Sequence, residues 1–444
     1  MKRLLAVLPL LAILASAQEP VPRTYFGMVL HCCGINGTAA RVREPWPTAE
    51  FGGLRLWDSH TLWLQINPEP GKYDWKDLDS WLDKATEHNE DVMYTFGGIP
   101  SWAASQPGDP KCRQWKPGSC SPTSDLREDG SGSNQLFKDF VKAIATRAHG
   151  RIKYWEAFNE PMNLFYWNGT VQQLVRMTSD MKEIVKSVDP GAVIVSPGTG
   201  WINKRPENGT TAWNALIYTD KYLEAGGNKL VDVVATHAYL KGECPTGMWD
   251  LSQVEKRTDE LKKIMKRNGV ADLPMWSTEG SWGPTSGKEN LVCTTDPDMQ
   301  VAYVGQYHIM MWNAGYKRVY WYAWNDGGTG TLTSQHGEPT AAGNAYGEII
   351  KWMVGATLAG CQQNKDQYQC KFTRPDGSQY LALWDNSQKC GGGNCSTTPL
   401  KVDASYVDYL DLSGGKTKIQ SNTVPVGLKP IWLEAPPAPA PKKK

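Results

Sequence analysis

The sequence lacks any strong excess of charge of one sign. Its 444 residues carry 47 Lys and Arg against 46 Asp and Glu, a formal net charge of +1 at pH 7. Such a chain has no general electrostatic attraction for nucleic acid or for an anionic membrane surface. We therefore expect neither nucleic acid nor a membrane as a partner, and a ligand that is uncharged or only locally charged.

Long hydrophobic runs are also missing, apart from a short one at the N-terminus. Met1-Lys-Arg precedes an apolar run from Leu4 to Leu14, and Ala15-Ser-Ala17 follows it. A basic start, a short apolar segment and an A-x-A site are typical of a secretory signal peptide, and the run is too short to span a membrane. We predict a signal peptide over residues 1–17 and a secreted, extracellular product.

Histidines with metal-binding spacing are absent as well. None of the seven histidines belongs to a His-x-His or His-x-x-x-His pattern. These spacings place two imidazoles on one face of a strand or helix, where they can share a zinc ion. The sequence thus predicts no metal and no other cofactor.

Cysteine, in contrast, is plentiful, and ten cysteines in an exported chain predict disulfides rather than a reduced metal site. Short spacings favour three local pairs, which are Cys112 with Cys120, Cys361 with Cys370, and Cys390 with Cys395. Pairing of Cys244 with Cys293 is a guess, and the adjacent Cys32 and Cys33 are left over. Glycosylation sequons, used only in a eukaryotic host, lie at Asn36, Asn168, Asn208 and Asn394.

The aromatic residues are unevenly distributed, with 20 Trp and 18 Tyr against 8 Phe. Trp and Tyr combine a flat apolar face with a polar group, which suits contact with a hydroxyl-rich and partly apolar ligand such as a sugar. About half of the tryptophans are expected in the core. The composition favours a carbohydrate as the partner. We expect the protein to be a monomer.

Eight short apolar segments alternate with helical patterns from the second segment onward. They lie at 25–30, 53–57, 92–96, 152–158, 193–196, 231–235, 273–279 and 319–324. Such alternation is typical of parallel βαβ units, and eight units predict closure into a barrel. Beyond about residue 360, short alternating runs separated by turn signals predict antiparallel strands.

The predicted fold class is therefore α/β, a (β/α)8 TIM barrel followed by a small C-terminal antiparallel β-sandwich domain. We predict the barrel over residues 18–358, the β-sandwich over 359–434, and a disordered tail rich in Pro, Ala and Lys over 435–444. A long loop at 105–132, rich in Pro, Gly and Ser, interrupts the barrel pattern after the third strand. Loops at this position of a barrel usually bind or cover the substrate.

Two glutamates follow short apolar segments in this pattern. Glu160 lies in Asn159-Glu160-Pro161 after the fourth predicted strand, and Glu279 lies in Thr278-Glu279-Gly280 at the end of the seventh. Active sites of α/β barrels lie at the carboxyl ends of the strands, so we expect both carboxylates at the mouth of the barrel. Retaining cleavage of an acetal between sugars needs an acid and a second, nucleophilic carboxylate about 5 to 5.5 Å away.

With these two motifs, the sequence resembles the clan A glycoside hydrolases, which are retaining (β/α)8-barrel enzymes. The resemblance covers roughly residues 24–355 and is closest to family 39, with family 5 as a neighbour. It implies that Glu160 is the general acid/base and Glu279 the nucleophile, and that Asn159 binds the sugar 2-hydroxyl. Retaining cleavage of β-glycosidic bonds in a poly- or oligosaccharide is the expected function.

The resemblance also implies roles for further residues by their positions. Arg55 on the second strand resembles the arginine that keeps the nucleophile ionised. The expected sugar-binding residues are His31, His237, Tyr239 and Trp324, together with Trp102 and Trp282, which are placed by loop position only. Arg55 is expected to lower the pKa of Glu279, whereas apolar neighbours are expected to raise the pKa of Glu160.

Two other functions remain open from the sequence. A non-catalytic glycan-binding barrel would use the same aromatic mouth, and a transglycosylase would use the same covalent intermediate. The long loop at 105–132 either blocks one end of the cleft or lines it, so exo and endo action remain open too.

Overall fold

The computed structural model describes residues 19–31, 46–112, 114–200, 215–240, 242, 249–283, 294–326, 328–334 and 337–436. Several predictions lie outside these ranges. They concern the signal peptide, Cys32, Cys33, the Cys244–Cys293 pair, the sequons at Asn36 and Asn208, and the tail beyond residue 436.

Nine parallel strands form one sheet in the first part of the chain. They are β1 (Phe26–Val29), β2 (Gly53–Leu56), β3 (Asp91–Thr95), β4 (Ile152–Glu156), β5 (Val193–Val195), β6 (Thr199–Gly200), β7 (Val234–His237), β8 (Met275–Gly280) and β9 (Tyr316–Trp321). Their order in the sheet is β5-β4-β3-β2-β1-β9-β8-β7-β6.

The sheet closes into a barrel because β5 and β6 are two halves of one strand position. Pro197, which has no N–H to donate, lies between them and interrupts the ladder. Single parallel bridges on either side, Asn159 with Gly198 and Val195 with Val233, join this position to both neighbours. Eight strand positions therefore surround the barrel, and the predicted (β/α)8 fold is confirmed.

Helices alternate with the strands and cover the outside of the barrel. They are α1 (Trp63–Ile66), α2 (Lys76–Glu87), α3 (Gln135–Ala148), α4 (Val171–Val188), α5 (Ala215–Glu224), α6 (Ser252–Arg267), α7 (Pro297–Ala314) and α8 (Ala341–Met353). Within the described ranges, none of them is both long enough and apolar enough to cross a bilayer.

Helix α7 differs from an ordinary surface helix. Of its 18 residues, 14 are buried, and they lie on all sides of the helix. A helix that is apolar all round must be covered on both faces, whereas a surface helix keeps one polar face. One face of α7 packs on the barrel, so another part of the chain has to cover its outer face.

The C-terminal strands provide that cover. They are β10 (Thr357–Asn364), β11 (Gln367–Thr373), β12 (Gln379–Asp385), β13 (Cys390–Gly391), β14 (Asn394–Cys395), β15 (Thr397–Lys401), β16 (Asp408–Asp411), β17 (Lys416–Lys418), β18 (Thr423–Gly427) and β19 (Ile431–Ala435). Six of them form an antiparallel sheet in the order β10-β11-β12-β19-β16-β17, and β15 pairs with β18.

These strands form a sandwich that packs against the barrel helices. Leu383 and Leu433 of the large sheet are buried together with Val424 and Val426 of β18. On the opposite face, Trp432 stacks on Trp352 of α8 with ring centroids 5.5 Å apart. The predicted antiparallel β-sandwich is confirmed, although the sequence pattern missed its first strand, β10.

A glutamine on α7 links the two parts of the chain. The side chain of Gln306 donates to the carbonyl of Leu428 at 2.7 Å and accepts from the indole of Trp249 at 2.9 Å. All three predicted local disulfides, Cys112–Cys120, Cys361–Cys370 and Cys390–Cys395, are present. The sixth strand, predicted over residues 231–235, is β7 at Val234–His237, and Asp232 before it accepts from the backbone N–H of Ile194 through its carboxylate.

Candidate active site

Both predicted glutamates lie at the mouth of the barrel. Glu279 is the penultimate residue of β8, and Glu160 follows β4 by four residues. Glu160 adopts a left-handed backbone conformation with φ of 40°, and its N–H donates to the carbonyl of Gly198 at 2.9 Å. The turn after β4 is thereby attached to the next strand position, which fixes the direction of the Glu160 side chain.

A histidine from β7 joins the two carboxylates. Nδ1 of His237 lies 2.9 Å from Oε1 of Glu160 and 3.4 Å from Oε2 of Glu279. His237 is fully buried, whereas Glu160 keeps part of its side chain exposed at the mouth. The imidazole therefore lies beneath the carboxylates, and Asn163 donates to the other oxygen of Glu160 at 2.6 Å.

Arg55 contacts three polar side chains from inside β2. Its guanidinium donates to Oε1 of Glu279 at 2.7 Å, to Oε2 of Glu156 at 2.8 Å and to Oδ1 of Asn159 at 2.8 Å. The arginine is completely buried, and a buried cation requires an anionic partner. Two carboxylates, those of Glu156 and Glu279, are such partners. It is held in place by β4 on one side and by β8 on the other.

The pKa of Glu279 corrects one sequence-based expectation. Burial raises its pKa above the ordinary value of 4.5, and although His237 and Arg55 act in the opposite direction, the net shift is upward. The expected lowering by Arg55 is present as one contribution, but the loss of hydration outweighs it. A second acid, Glu160, lies close enough to raise the pKa further.

The pKa of His237 is raised for a related reason. Burial alone would lower it, but the negative charges of Glu279 and Glu160 and the hydrogen bond to Glu160 outweigh burial. The pKa of His237 and the pKa of Glu279 therefore each depend on the charge of the other group.

Two further residues predicted to bind sugar lie at the same mouth. The hydroxyl of Tyr239 donates to Oε2 of Glu279 at 2.9 Å, and its ring is half-buried. His31, at the end of the first strand position, pairs through Nδ1 with Asp326 at 3.2 Å and stacks edge-on against Tyr322 at 5.1 Å. The structure thus brings seven of the predicted residues together at the mouth. Six of them form one hydrogen-bonded group, which consists of Arg55, Asn159, Tyr239, His237, Glu160 and Glu279, and His31 lies at its rim.

The three predicted tryptophans are placed differently. Trp102 packs edge-on against Trp63 of α1 and donates to the carbonyl of Asn67. Trp282 and Trp324 are buried, and Trp282 packs against Trp321 in the interior. A sugar contact of these three tryptophans stays a prediction.

Several residues at the mouth were missed by the sequence analysis. Tyr322, two residues before Trp324, donates to Oδ2 of Asp58 at 2.7 Å, and its pKa is raised by burial and by the charges of Asp58 and Glu279. Glu156 pairs with Arg55 and accepts from Thr95 at 2.7 Å. A signal for Glu156 existed, because a carboxylate within an apolar strand needs a buried cation.

The two glutamates and the histidine at the mouth also lie close enough together to bind a metal ion. Ligand atoms of Glu160, His237 and Glu279 lie within 4.8 Å of one another. A cation bound there would lie beside the Arg55 guanidinium, whose positive charge disfavours it. Elsewhere in the described ranges, such a group consists of Asp109 with Cys112 and Cys120, and these two cysteines form a disulfide.

Comparison with known proteins finds similarity to glycoside hydrolases. Residues 130–346 match the model of the glycosyl hydrolase catalytic core. The chain is also 21% identical over 154 residues to endo-1,4-beta-xylanase 1 of Gibberella zeae, a match that spans 34% of this chain and 37% of the relative. The chain thus matches little more than a third of that relative's length.

Solved structures share the fold over nearly the whole chain. A family 39 glycoside hydrolase from Bacteroides cellulosilyticus WH2 is 15% identical, with a TM-score of 0.64 over 94% of this chain and 81% of that one. A glucosidase from Croceicoccus marinus is 14% identical, with a TM-score of 0.60 over 94% of this chain and 96% of that one. The match to the glycosyl hydrolase catalytic core covers residues 130–346, and the likeness to these solved structures shows that the chain shares their barrel fold.

Proposed function

We propose that this enzyme hydrolyses β-glycosidic bonds in a poly- or oligosaccharide with retention of anomeric configuration. The observation that carries the proposal is the spacing of the two glutamates, whose nearest ligand atoms lie within 4.8 Å of each other. Retaining enzymes hold their carboxyl groups about 5 to 5.5 Å apart, whereas inverting enzymes need about 6.5 to 9.5 Å to admit a water molecule.

In the first step, a carboxylate oxygen of Glu279 forms a bond to the anomeric carbon while the bond to the leaving oxygen breaks. The proton of Glu160 passes to the leaving oxygen. The partial exposure of Glu160 at the mouth supports this role, because the acid must reach the glycosidic oxygen of a bound chain. Glu279 is less exposed and lies deeper in the barrel.

In the second step, water replaces the leaving group. Glu160, now ionised, takes a proton from the water, the water oxygen bonds to the anomeric carbon, and the bond to Glu279 breaks. The hydrogen bonds from Asn163 and His237 hold the Glu160 carboxylate in one orientation for both proton transfers.

Arg55 and Tyr239 are proposed to keep Glu279 ionised and oriented. Each donates to a different oxygen of Glu279, and a donated hydrogen bond favours the charged form of a carboxylate. These contacts offset part of the burial that raises the pKa of Glu279. Asn159 accepts from Arg55 through Oδ1, which leaves its amide nitrogen as the atom to offer to a sugar hydroxyl.

The substrate is proposed to be neutral and β-linked, because the net charge of the chain is +1 and Trp and Tyr are abundant. A β-1,4-xylan is the first polymer to test, since the Gibberella zeae relative is named as an endo-1,4-beta-xylanase. The three disulfides support a secreted enzyme, because disulfides persist in oxidising compartments.

The test is cleavage of a panel of β-linked plant, fungal and bacterial polysaccharides by the native enzyme, Glu160→Ala and Glu279→Ala. We expect each variant to lose at least about 10³-fold in kcat. Proton NMR of the first product should show the β-anomer before mutarotation. On an activated aryl β-glycoside, azide should restore turnover to Glu160→Ala and yield a β-glycosyl azide.

Glu87→Ala is the matched control, because Glu87 is an exposed glutamate at the end of α2 and its loss should leave kcat unchanged. An α-anomer as the first product would exclude the retaining mechanism. Substantial activity in Glu279→Ala would exclude Glu279 as the nucleophile.

A further inference from the structure

The long loop after β3 is attached to the loop after β4. The Cys112–Cys120 disulfide closes a short ring within it, and both cysteines are buried. The backbone N–H of Asn168, in the β4 loop, donates to the carbonyl of Cys120 at 2.9 Å. The side-chain amide of Asn168 donates to Asp109 at the start of the ring. Two hydrogen bonds of Asn168 therefore join the two loops at the barrel mouth.

Trp115 is the one large apolar side chain inside that disulfide ring. Its ring lies 5.3 Å from Trp57, in an edge-on contact, and 5.6 Å from Tyr166, between ring centroids. Trp57 and Tyr166 also contact each other at 5.8 Å. We call these three residues the mouth aromatic cluster.

The mouth aromatic cluster adjoins the proposed catalytic groups. The guanidinium of Arg55 lies 5.7 Å from the ring centroid of Trp57. The pKa of Tyr166 is raised by burial and then by the negative charge of Glu160, with smaller contributions from Asp58 and Glu279. The cluster is therefore next to the position of the reacting sugar.

The three rings of the mouth aromatic cluster differ in their exposure to solvent. Trp57 is buried and packs on Leu62 and Leu64, whereas Trp115 and Tyr166 stay partly exposed. Leu164, in the same loop as Tyr166, is 44% exposed. Apolar surface fixed in the open beside a polar site is a recurring feature of binding surfaces, and aromatic faces suit the apolar face of a sugar ring.

We propose that Trp115 and Tyr166 form the wall of a second sugar subsite, adjacent to the subsite that holds the reacting ring. This inference rests on the proposed function, and it assigns to the disulfide ring the task of holding Trp115 rigidly in place. A rigid aromatic contact binds with a smaller loss of conformational entropy than a mobile one. The enzyme is thus built to select chains of two or more sugars over single glycosides.

The test compares 4-nitrophenyl β-xyloside and β-glucoside with β-1,4-linked xylo- and gluco-oligosaccharides of two to six units. In the native enzyme, kcat/KM should rise with chain length. In Trp115→Ala, the ratio of kcat/KM for the longest oligosaccharide to that for the aryl glycoside should fall about tenfold or more. Trp115→Phe keeps an aromatic face and should recover most of that ratio.

Tyr73→Ala is the matched control, because Tyr73 is a partly exposed aromatic that stacks on Trp75 and makes no contact with the cluster. Its ratio should equal that of the native enzyme. An unchanged ratio in Trp115→Ala would overturn the second subsite, while leaving the proposed hydrolysis intact.

A binding measurement separates this inference from the proposed function. Calorimetric titration of xylohexaose and cellohexaose into Glu279→Ala, with and without Trp115→Ala, does not depend on turnover. If Trp115→Ala weakens binding to the Glu279→Ala protein but the native enzyme cleaves no polysaccharide of the panel, the subsite stands and the proposed function fails. If the affinity is unchanged, the subsite is excluded whatever the activity.

Discussion

Two buried arginines inside the same barrel have opposite surroundings. Arg318 of β9 pairs with Asp91 at 2.9 Å and lies against the rings of Tyr154 and Trp276, at 4.3 and 4.8 Å. Lys153 also pairs with Asp91, so cations outnumber carboxylates there. Arg55, at the mouth, instead faces more carboxylates than it can neutralise.

The pKa values follow this difference in charge balance. Burial would raise the pKa of Asp91, but hydrogen bonds from Lys153, Arg318 and Tyr154 bring it below the ordinary value. The pKa of Glu279 is raised despite Arg55 and His237. A cation-rich cluster fixes a carboxylate in one charge state, whereas a carboxylate-rich cluster remains able to exchange protons. The second arrangement is the one that acid and nucleophilic catalysis require.

The strongest test of the comparison replaces each arginine by methionine. Arg55→Met removes the cation that Glu279 and Glu156 share, so the pKa of Glu279 should rise further and kcat/KM should fall about 10³-fold. Arg318→Met should destabilise the fold by ~3–5 kcal/mol, as expected for a broken buried pair, while the folded enzyme keeps near-native kcat/KM. Steady-state kinetics and urea unfolding measure the two effects. Equal losses of activity in both variants would remove the distinction between the clusters.

A smaller effect is expected at Gly198, which lies between the side chains of His237 and Glu156. A Cβ at this position would lie 2.4 Å from Nε2 of His237 and 2.8 Å from Oε1 of Glu156. Gly198→Ala should displace His237 from Glu160 and lower kcat about 10²-fold, since small misplacements of catalytic groups are costly.

Gly347→Ala is the control for Gly198→Ala, because Gly347 lies in α8 and its Cβ would meet nothing within 4 Å. That variant should keep native kcat and gain slightly in melting temperature. A native kcat in Gly198→Ala would mean that the His237 contact is not needed for turnover.

The smallest expected effect is a shift of the pH profile. Because the pKa of Glu279 is raised, the acidic limb of kcat/KM should lie above pH 4.5, with activity lost as the pH falls and Glu279 becomes protonated. His237→Gln removes a positive charge that lowers this pKa, so the limb should move to higher pH. Profiles of kcat/KM from pH 3 to 9 would record it, and a limb that moves to lower pH would contradict this electrostatic account.

The parts predicted from sequence are those with a local cause. The carboxyl ends of parallel strands meet at one rim of the barrel. The sequence pattern places Asn159 and Glu160 after one apolar strand and Glu279 at the end of another, so it predicted that these side chains lie close together. Arg55 could be predicted because a charge within an apolar strand needs a partner. The Arg55–Glu279 contact joins residues 224 positions apart, and only barrel closure determines it.

The features that the sequence did not predict depend on the sum of several interactions or on the direction in which a side chain points. The shift in the pKa of Glu279 is the balance of burial and Glu160, which raise it, against His237 and Arg55, which lower it, and no local pattern gives its sign. Tyr322 lies at the mouth next to His31, whereas Trp282 and Trp324 are buried. A tryptophan in a loop is equally compatible with packing and with ligand contact, so spacing alone could not separate these roles.

The burial of α7 on every side has a consequence for any shortened form of the chain. Loss of the β-sandwich would leave the Gln306 side chain without its Leu428 partner and would expose an apolar helix to water. We therefore expect a chain that ends after α8 to aggregate, so the barrel depends on the sandwich for its solubility.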